Sequence, residues 1–216
     1  MKKILLLFLC SLAPSYACED LTSLNRDRDV RIEIQNVYVG TADLKIDTGT
    51  RRCTMFPAGN ESQEILGSIA ILPGESLAAM TSPIFDSMDK GTLPPDAVRL
   101  ISVAKAIDTK NDFNTLVMLG DLYVPTAHRG KGYAKKLIDF ASKQVFQEGI
   151  ATIIIQPYPF EYEDGFEYEF GKEKSLEGSP DYQSKEQRLI TLYEKCGFEN
   201  VQAQDVSFMQ LSNKKS

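Results

Sequence analysis

Residues 116–156 read LVMLGDLYVPTAHRGKGYAKKLIDFASKQVFQEGIATIIIQ, and this run decides the fold. Residues 116–124 are apolar apart from Asp121, and Pro125, which cannot donate to a sheet ladder, stops them; that is the pattern of a mostly buried strand. The turn that must follow is His128-Arg129-Gly130-Lys131-Gly132-Tyr133-Ala134. Beyond it Ala134, Leu137, Ile138, Ala141 and Val145 recur at spacings of three and four, with Lys135, Lys136, Asp139 and Lys143 on the other side, which predicts a helix with one buried face. Residues 151–155, with three consecutive isoleucines, predict a second strand covered on both faces, a parallel neighbour reached through the helical crossover.

The turn has the chemistry of an anion site. A helix N-terminus carries free backbone N–H groups and a partial positive charge, and glycines let the backbone close on a phosphate. Arg129 and Lys131 add full charges. The general phosphate-loop patterns do not apply, because there is no G-x-x-x-x-G-K-[ST], and Gly130-Lys131-Gly132 lacks the further glycine of a dinucleotide fingerprint.

Val124-Pro125, followed by Arg129-Gly130-Lys131-Gly132-Tyr133-Ala134 and Leu137, resembles the acetyl-CoA signature of the GNAT superfamily of N-acetyltransferases. A second segment, Leu192-Tyr193-Glu194-Lys195-Cys196-Gly197-Phe198, resembles a later motif of the same family, and Phe208-Met209-Gln210-Leu211 resembles its closing strand. The resemblance covers residues 116–211. It implies an α/β fold, a GNAT-like central mixed sheet flanked by helices, and acetyl-CoA as co-substrate without a metal. It further implies that the backbone of Arg129, Gly130, Lys131, Gly132, Tyr133 and Ala134 binds the pyrophosphate, and that the main chain of Leu122, Tyr123 and Val124 pairs with the pantetheine arm where the two parallel strands splay.

Two side chains are candidates for the chemistry. Tyr193 matches the position of the family's general acid; a core aromatic at helical spacing is the other reading. Asp121 is the base candidate, with a structurally paired aspartate as the alternative; strand alternation places it beside Tyr123 and opposite Leu122 and Val124. Gly120 stands where many relatives carry an acidic residue, and Gln156-Pro157 where many carry Asn. His128 occupies a variable, solvent-facing motif position and is not expected to act as the base.

The 216 residues, 43% hydrophobic and 25% charged, suit one globular domain. A net charge of -6 argues against a nucleic-acid surface, where phosphate contacts need clustered Lys and Arg, and favours a cationic partner. One His and four scattered Cys offer no zinc-ligand spacing. Residues 1–17 have the pattern of a secretory signal peptide: Lys2 and Lys3, an apolar run over 4–12, then Ser15-Tyr16-Ala17. A lipoprotein signal at Cys18 and a misassigned start are the alternatives. Export implies a periplasmic or secreted protein with no membrane anchor in its mature form; acetyl-CoA is cytosolic, so such a protein would act in another cell's cytosol. A misassigned start implies a cytoplasmic one. Cleavage leaves Cys18, Cys53 and Cys196, and Cys18 with Cys53 is the expected pair, buried inert thiols being the alternative.

Residues 18–216 therefore read as one domain. Residues 30–39 alternate as a strand with Ile32 and Ile34 on one face, 40–43 turn back, and 44–46, 53–56 and 64–72 are further strands of an antiparallel meander. Asp47-Thr48-Gly49 matches the D-T-G of aspartic proteases, but that chemistry needs two carboxylates and one copy is present, so 47–50 reads as a hairpin turn. Asn60-Glu61-Ser62 is a sequon of little weight. Helices over 75–90, interrupted by Pro83, and 95–107 stand before the acetyl-CoA strand rather than after the first strand, which departs from the family's usual order. Residues 157–183 form a long acidic loop with eight Asp or Glu against two Lys. It reads either as a lid that attracts a cationic, amine-bearing acceptor or as a solvated loop. A helix over 184–196 and a closing antiparallel pair, 198–201 with 206–211, complete the domain. Two functions follow: acetyl transfer from acetyl-CoA to a primary amine of a small molecule or peptide, or a catalytically inactive secreted protein of the same fold that acts through protein contacts.

Overall fold

The computed structural model describes residues 21–26, 29–41, 44–58, 64–83, 95–108, 113–162, 173–175, 179–203 and 206–213. The expected signal segment, Cys18, the sequon and most of the acidic loop lie outside the described residues.

Four antiparallel strands come first: β1 (Leu21–Arg26), β2 (Val30–Thr41), β3 (Leu44–Pro57) and β4 (Gly67–Pro73). Helices α1 (Gly74–Met80) and α2 (Pro95–Asp108) follow, then β5 (Leu116–Tyr123), α3 (Tyr133–Gln147) and β6 (Thr152–Ile155). The chain ends with a short ribbon of β7 (Phe160–Tyr162) and β8 (Glu173–Ser175), then α4 (Tyr182–Lys195), β9 (Glu199–Ala203) and β10 (Val206–Ser212). The main sheet has eight strands in the order β1-β2-β3-β4-β5-β6-β10-β9. Among the described residues only β5 and β6 pair in parallel, from Leu116↔Thr152 to Leu119↔Ile155. The fold is therefore a mixed α/β sheet flanked by helices, and α1 and α2 do stand between the meander and β5.

Strand alternation sorts the side chains into two cores. Val117, Leu119, Ile153 and Ile155 point to one face, where they pack with Leu137, Ile138, Ala141 and Val145 of α3 and Tyr193 of α4. Leu116, Met118 and Ile154 point to the other, where Leu77 of α1 and Val103, Ala104 and Ile107 of α2 cover them. That two-sided cover is why β5 and β6 read as continuous apolar runs. On β2 the alternation leaves Val30, Ile32 and Ile34 buried.

Three expectations are corrected. Residues 44–57 form one strand, and 47–50 are not a hairpin turn. Asn36 pairs with Arg51 and Tyr38 with Asp47, so 48–50 are a bulge within β3. Gly49 supplies a φ of 70° there, and the Thr48 hydroxyl donates to the Val37 carbonyl at 2.8 Å, filling an acceptor the bulge takes out of the ladder. Cys53 is a free thiol rather than half of a disulfide. It sits mid-strand between Ile34 and Ile69, fully buried in the core. Finally, the 157–183 stretch is not loop throughout, since β7 and β8 pair within it.

Candidate functional site

The site is built where β5 and β6 part. Their pairing ends at Leu119↔Ile155, although β5 continues to Tyr123. On its other edge β5 carries a bulge: Ala70 pairs with Gly120 and Ser68 with Tyr123, so Asp121 and Leu122 together oppose Ile69. Asp121 takes the strain, with φ 47°, and is the one non-glycine residue of positive φ among the described residues. Aspartate tolerates the left-handed region better than most side chains. The bulge breaks the strict alternation, so the parity argument that placed Asp121 opposite Leu122 and Val124 fails. A bulge bends its strand and re-aims the side chains around it, and this one lies at the level where β5 and β6 part.

Gly67, which sequence reasoning did not single out, lets β4 approach this bend. A Cβ there would lie 2.8 Å from the Tyr123 carbonyl oxygen and 3.0 Å from Leu137 Cδ1. An isolated glycine at the head of an apolar strand was the available signal.

After Pro125 the chain makes a single 3-10 turn over Thr126–His128, and α3 then starts from Gly132 in the left-handed conformation, φ 82°. Gly130 is also left-handed, φ 78°. The N-cap of α3, Gly132, makes no side-chain cap bond, so the N–H groups of the first turn lack the usual capping acceptor. A Cβ at Gly130 or Gly132 would meet nothing within 4 Å, and the surface in front of the turn is therefore open. An open, uncapped helix start flanked by Arg129 and Lys131 suits a pyrophosphate. The Arg129 side chain folds back, its Nε donating to the Val124 carbonyl at 3.0 Å. It thus ties the turn to the end of β5 as well as adding charge. Tyr133 and Ala134 are half-buried at the start of the helix.

His128 does not face solvent freely. Its side chain is 16% exposed, with Nε2 2.9 Å from Glu64 Oε1, and its ring meets that of Tyr133 edge-on. Tyr193 lies on the inner face of α4, 3% exposed, with its ring 6.2 Å from that of Phe198. Burial pushes its phenol well above the ordinary value, and neighbouring Cys196 adds to the shift. It is a core aromatic and, at the same time, a hydroxyl that stays protonated. Among the described residues no group of three or more His, Cys, Asp or Glu could hold a metal ion, and no helix is long and apolar enough to cross a membrane.

A mixed sheet whose central parallel pair parts beside a glycine-led helix start leaves a gap next to a turn suited to an anion. Residues 97–200 match the family described as acetyltransferase (GNAT) domain. Among solved structures the chain is similar to an acetyltransferase of the GNAT family from Staphylococcus aureus, at 14% identity and TM-score 0.40 over 76% of this chain and 68% of that one. It is also similar to a Bacillus subtilis acetyltransferase in complex with CoA, at 16% identity and TM-score 0.38 over 76% and 77%. A third is the dodecameric spermidine N-acetyltransferase of Vibrio cholerae, at 15% identity and TM-score 0.42 over 78% and 68%. No curated protein matches the chain.

Proposed function

We propose that this protein transfers the acetyl group of acetyl-CoA to a primary amine by direct attack, without a metal. The observation that carries the reading is the coincidence, at one end of the sheet, of the β5–β6 gap, the Asp121 bulge and the open start of α3. The backbone N–H groups of residues 129–134 would hold the pyrophosphate. The main chain of Leu122, Tyr123 and Val124 would receive the pantetheine arm as a strand receives a neighbour. Acetyl-CoA supplies an activated thioester. Asp121, at the bend beside the gap, accepts the proton of the incoming amine, and Tyr193 gives one to the departing sulfur. The Tyr193 phenol is protonated at neutral pH, as an ordinary phenol is, and burial makes it a weaker donor, so the hydroxyl rather than the shift is what the acid's part rests on. The excess of acidic side chains in 157–183 supports a cationic acceptor.

Isothermal titration of acetyl-CoA, with CoA for comparison, tests the reading on the parent protein and on an Arg129→Glu, Gly132→Glu variant. Micromolar binding by the parent, lost in the variant, is the expected result. A well-folded parent that binds neither compound overturns it.

A further inference from the structure

The turn that would hold the pyrophosphate has a difficulty of its own. Two glycines with φ near 80° sit in open space, and glycine loses more backbone freedom on ordering than any other residue. A turn left to itself would pay that cost each time a ligand bound. Its first half is held by main-chain hydrogen bonds, His128 N–H to the Pro125 carbonyl at 2.8 Å and Arg129 N–H to that of Thr126 at 3.3 Å. Across the glycines themselves the bracing comes from side chains.

His128 provides it. It stands just ahead of the glycine pair and Tyr133 just behind, and their rings meet at 6.2 Å between centroids and 62° between planes. The imidazole thus spans the glycine segment from one side to the other. Its orientation is set from outside the turn, because Nε2 donates to Glu64 Oε1 at 2.9 Å. Glu64 lies in the segment that leads into β4, and Leu66 anchors that segment by donating its N–H to the Met55 carbonyl at 2.8 Å. The brace therefore runs from β3, through Glu64 and His128, to the first residue of α3. Arg129 ties the same turn to β5 through the Val124 carbonyl.

We propose that His128, oriented by Glu64 and packed on Tyr133, is a positioning residue that pre-organises the glycine turn for the pyrophosphate of acyl-CoA. This rests on the acetyl-CoA reading above and assigns His128 no proton transfer. The pair with Glu64 is largely solvent-facing on the carboxylate side, 55% exposed, and such pairs contribute little to global stability. Removing it should be felt in binding rather than in folding, which distinguishes a positioning role from a structural one.

The test uses the intact protein and three variants, His128→Ala, His128→Gln and Glu64→Ala, with acetyl-CoA affinity measured by titration and thermal unfolding measured alongside. His128→Ala should weaken binding about tenfold while its unfolding midpoint stays close to the parent's, since lost pre-organisation appears as lost affinity. His128→Gln, whose amide nitrogen can still donate to Glu64, should recover a substantial part of that loss. As the single histidine of the chain, His128 also gives one imidazole NMR signal set, which should shift on titration with CoA and do so less in Glu64→Ala. A parent that binds acetyl-CoA together with an unchanged affinity in His128→Ala overturns this inference and leaves the acetyl-transfer reading standing. A parent that does not bind overturns both.

Discussion

Asp121 and Tyr193 can each be separated from their structural surroundings by a single substitution. At φ 47° an aspartate is strained, by an amount on the order of 1 kcal/mol. Asp121→Gly should thus keep or slightly raise the unfolding midpoint while abolishing the carboxylate. Asp121→Asn keeps the side-chain shape and a residue that accepts the left-handed region. With either, release of free CoA in the presence of a primary amine should fall by about a hundredfold, the usual scale for a positioned base. Full activity in Asp121→Asn would remove the base from Asp121. For Tyr193 the informative change is to Phe, which preserves the ring against Phe198 and deletes only the hydroxyl. Far-UV circular dichroism should be unchanged and turnover should drop by about a hundredfold or more; unchanged turnover would leave Tyr193 a core residue alone. Both positions were legible in the sequence as residue types. The orientation of Asp121 was not, because it depends on Ser68 and Ala70 of another strand choosing partners one residue out of step.

Among the elements, the junction of β4, β5 and α3 is the most sensitive. Gly67→Val would drive a side chain into the Tyr123 carbonyl and Leu137, and both are held, one by the sheet and one by the core. We expect a loss of about 1–3 kcal/mol in denaturant unfolding, the usual cost of overpacking, together with weaker acetyl-CoA binding because the end of β5 is displaced. Stability lost with binding intact would show that the bend in β5 is not part of the site. The elements themselves were largely readable: the 3.6-residue repeat marked α3, and the apolar runs marked β5 and β6. The β3 bulge was read as a turn because Asp47-Thr48-Gly49-Thr50 has the composition of one. What decided otherwise was the pairing of both flanks of β3 with the same strand, β2, a constraint no local pattern carries. β1 escaped notice for a related reason, since its sequence LTSLNR has little β character and it becomes a strand by pairing with β2.

For the molecule as a whole, the buried groups set a pH limit. Burial pushes the Cys53 thiol up to about 12 from a usual 9.0. Below the lower value both folded and unfolded chains keep the proton, and the contribution to stability is complete. Between the two values the unfolded thiol ionises while the folded one does not, so stability falls as pH rises, by up to about 1.4 kcal/mol per pH unit from this group. Tyr193, raised from 10.0, acts in the same direction at higher pH. Denaturant midpoints should decline steadily through this alkaline window, and Cys53→Ala should make the decline shallower; a decline of the same steepness in that variant would show that the limb belongs to other groups. The same burial predicts that Cys53 resists thiol reagents in the folded protein while half-buried Cys196 reacts, which peptide mapping of the labelled chain would show. By itself the sequence determined the class of fold, the strand-turn-helix suited to an anion and the residue types of the candidate chemistry, because each is written in contiguous residues whose periodicity and conformational preferences act locally. Only the tertiary structure decided the bulge at Asp121, the close approach at Gly67, the Glu64–His128–Tyr133 brace and the free state of Cys53. Each of these is a relation between residues distant in the chain, set by which strands pair and in what register, and such a relation leaves no mark in local pattern.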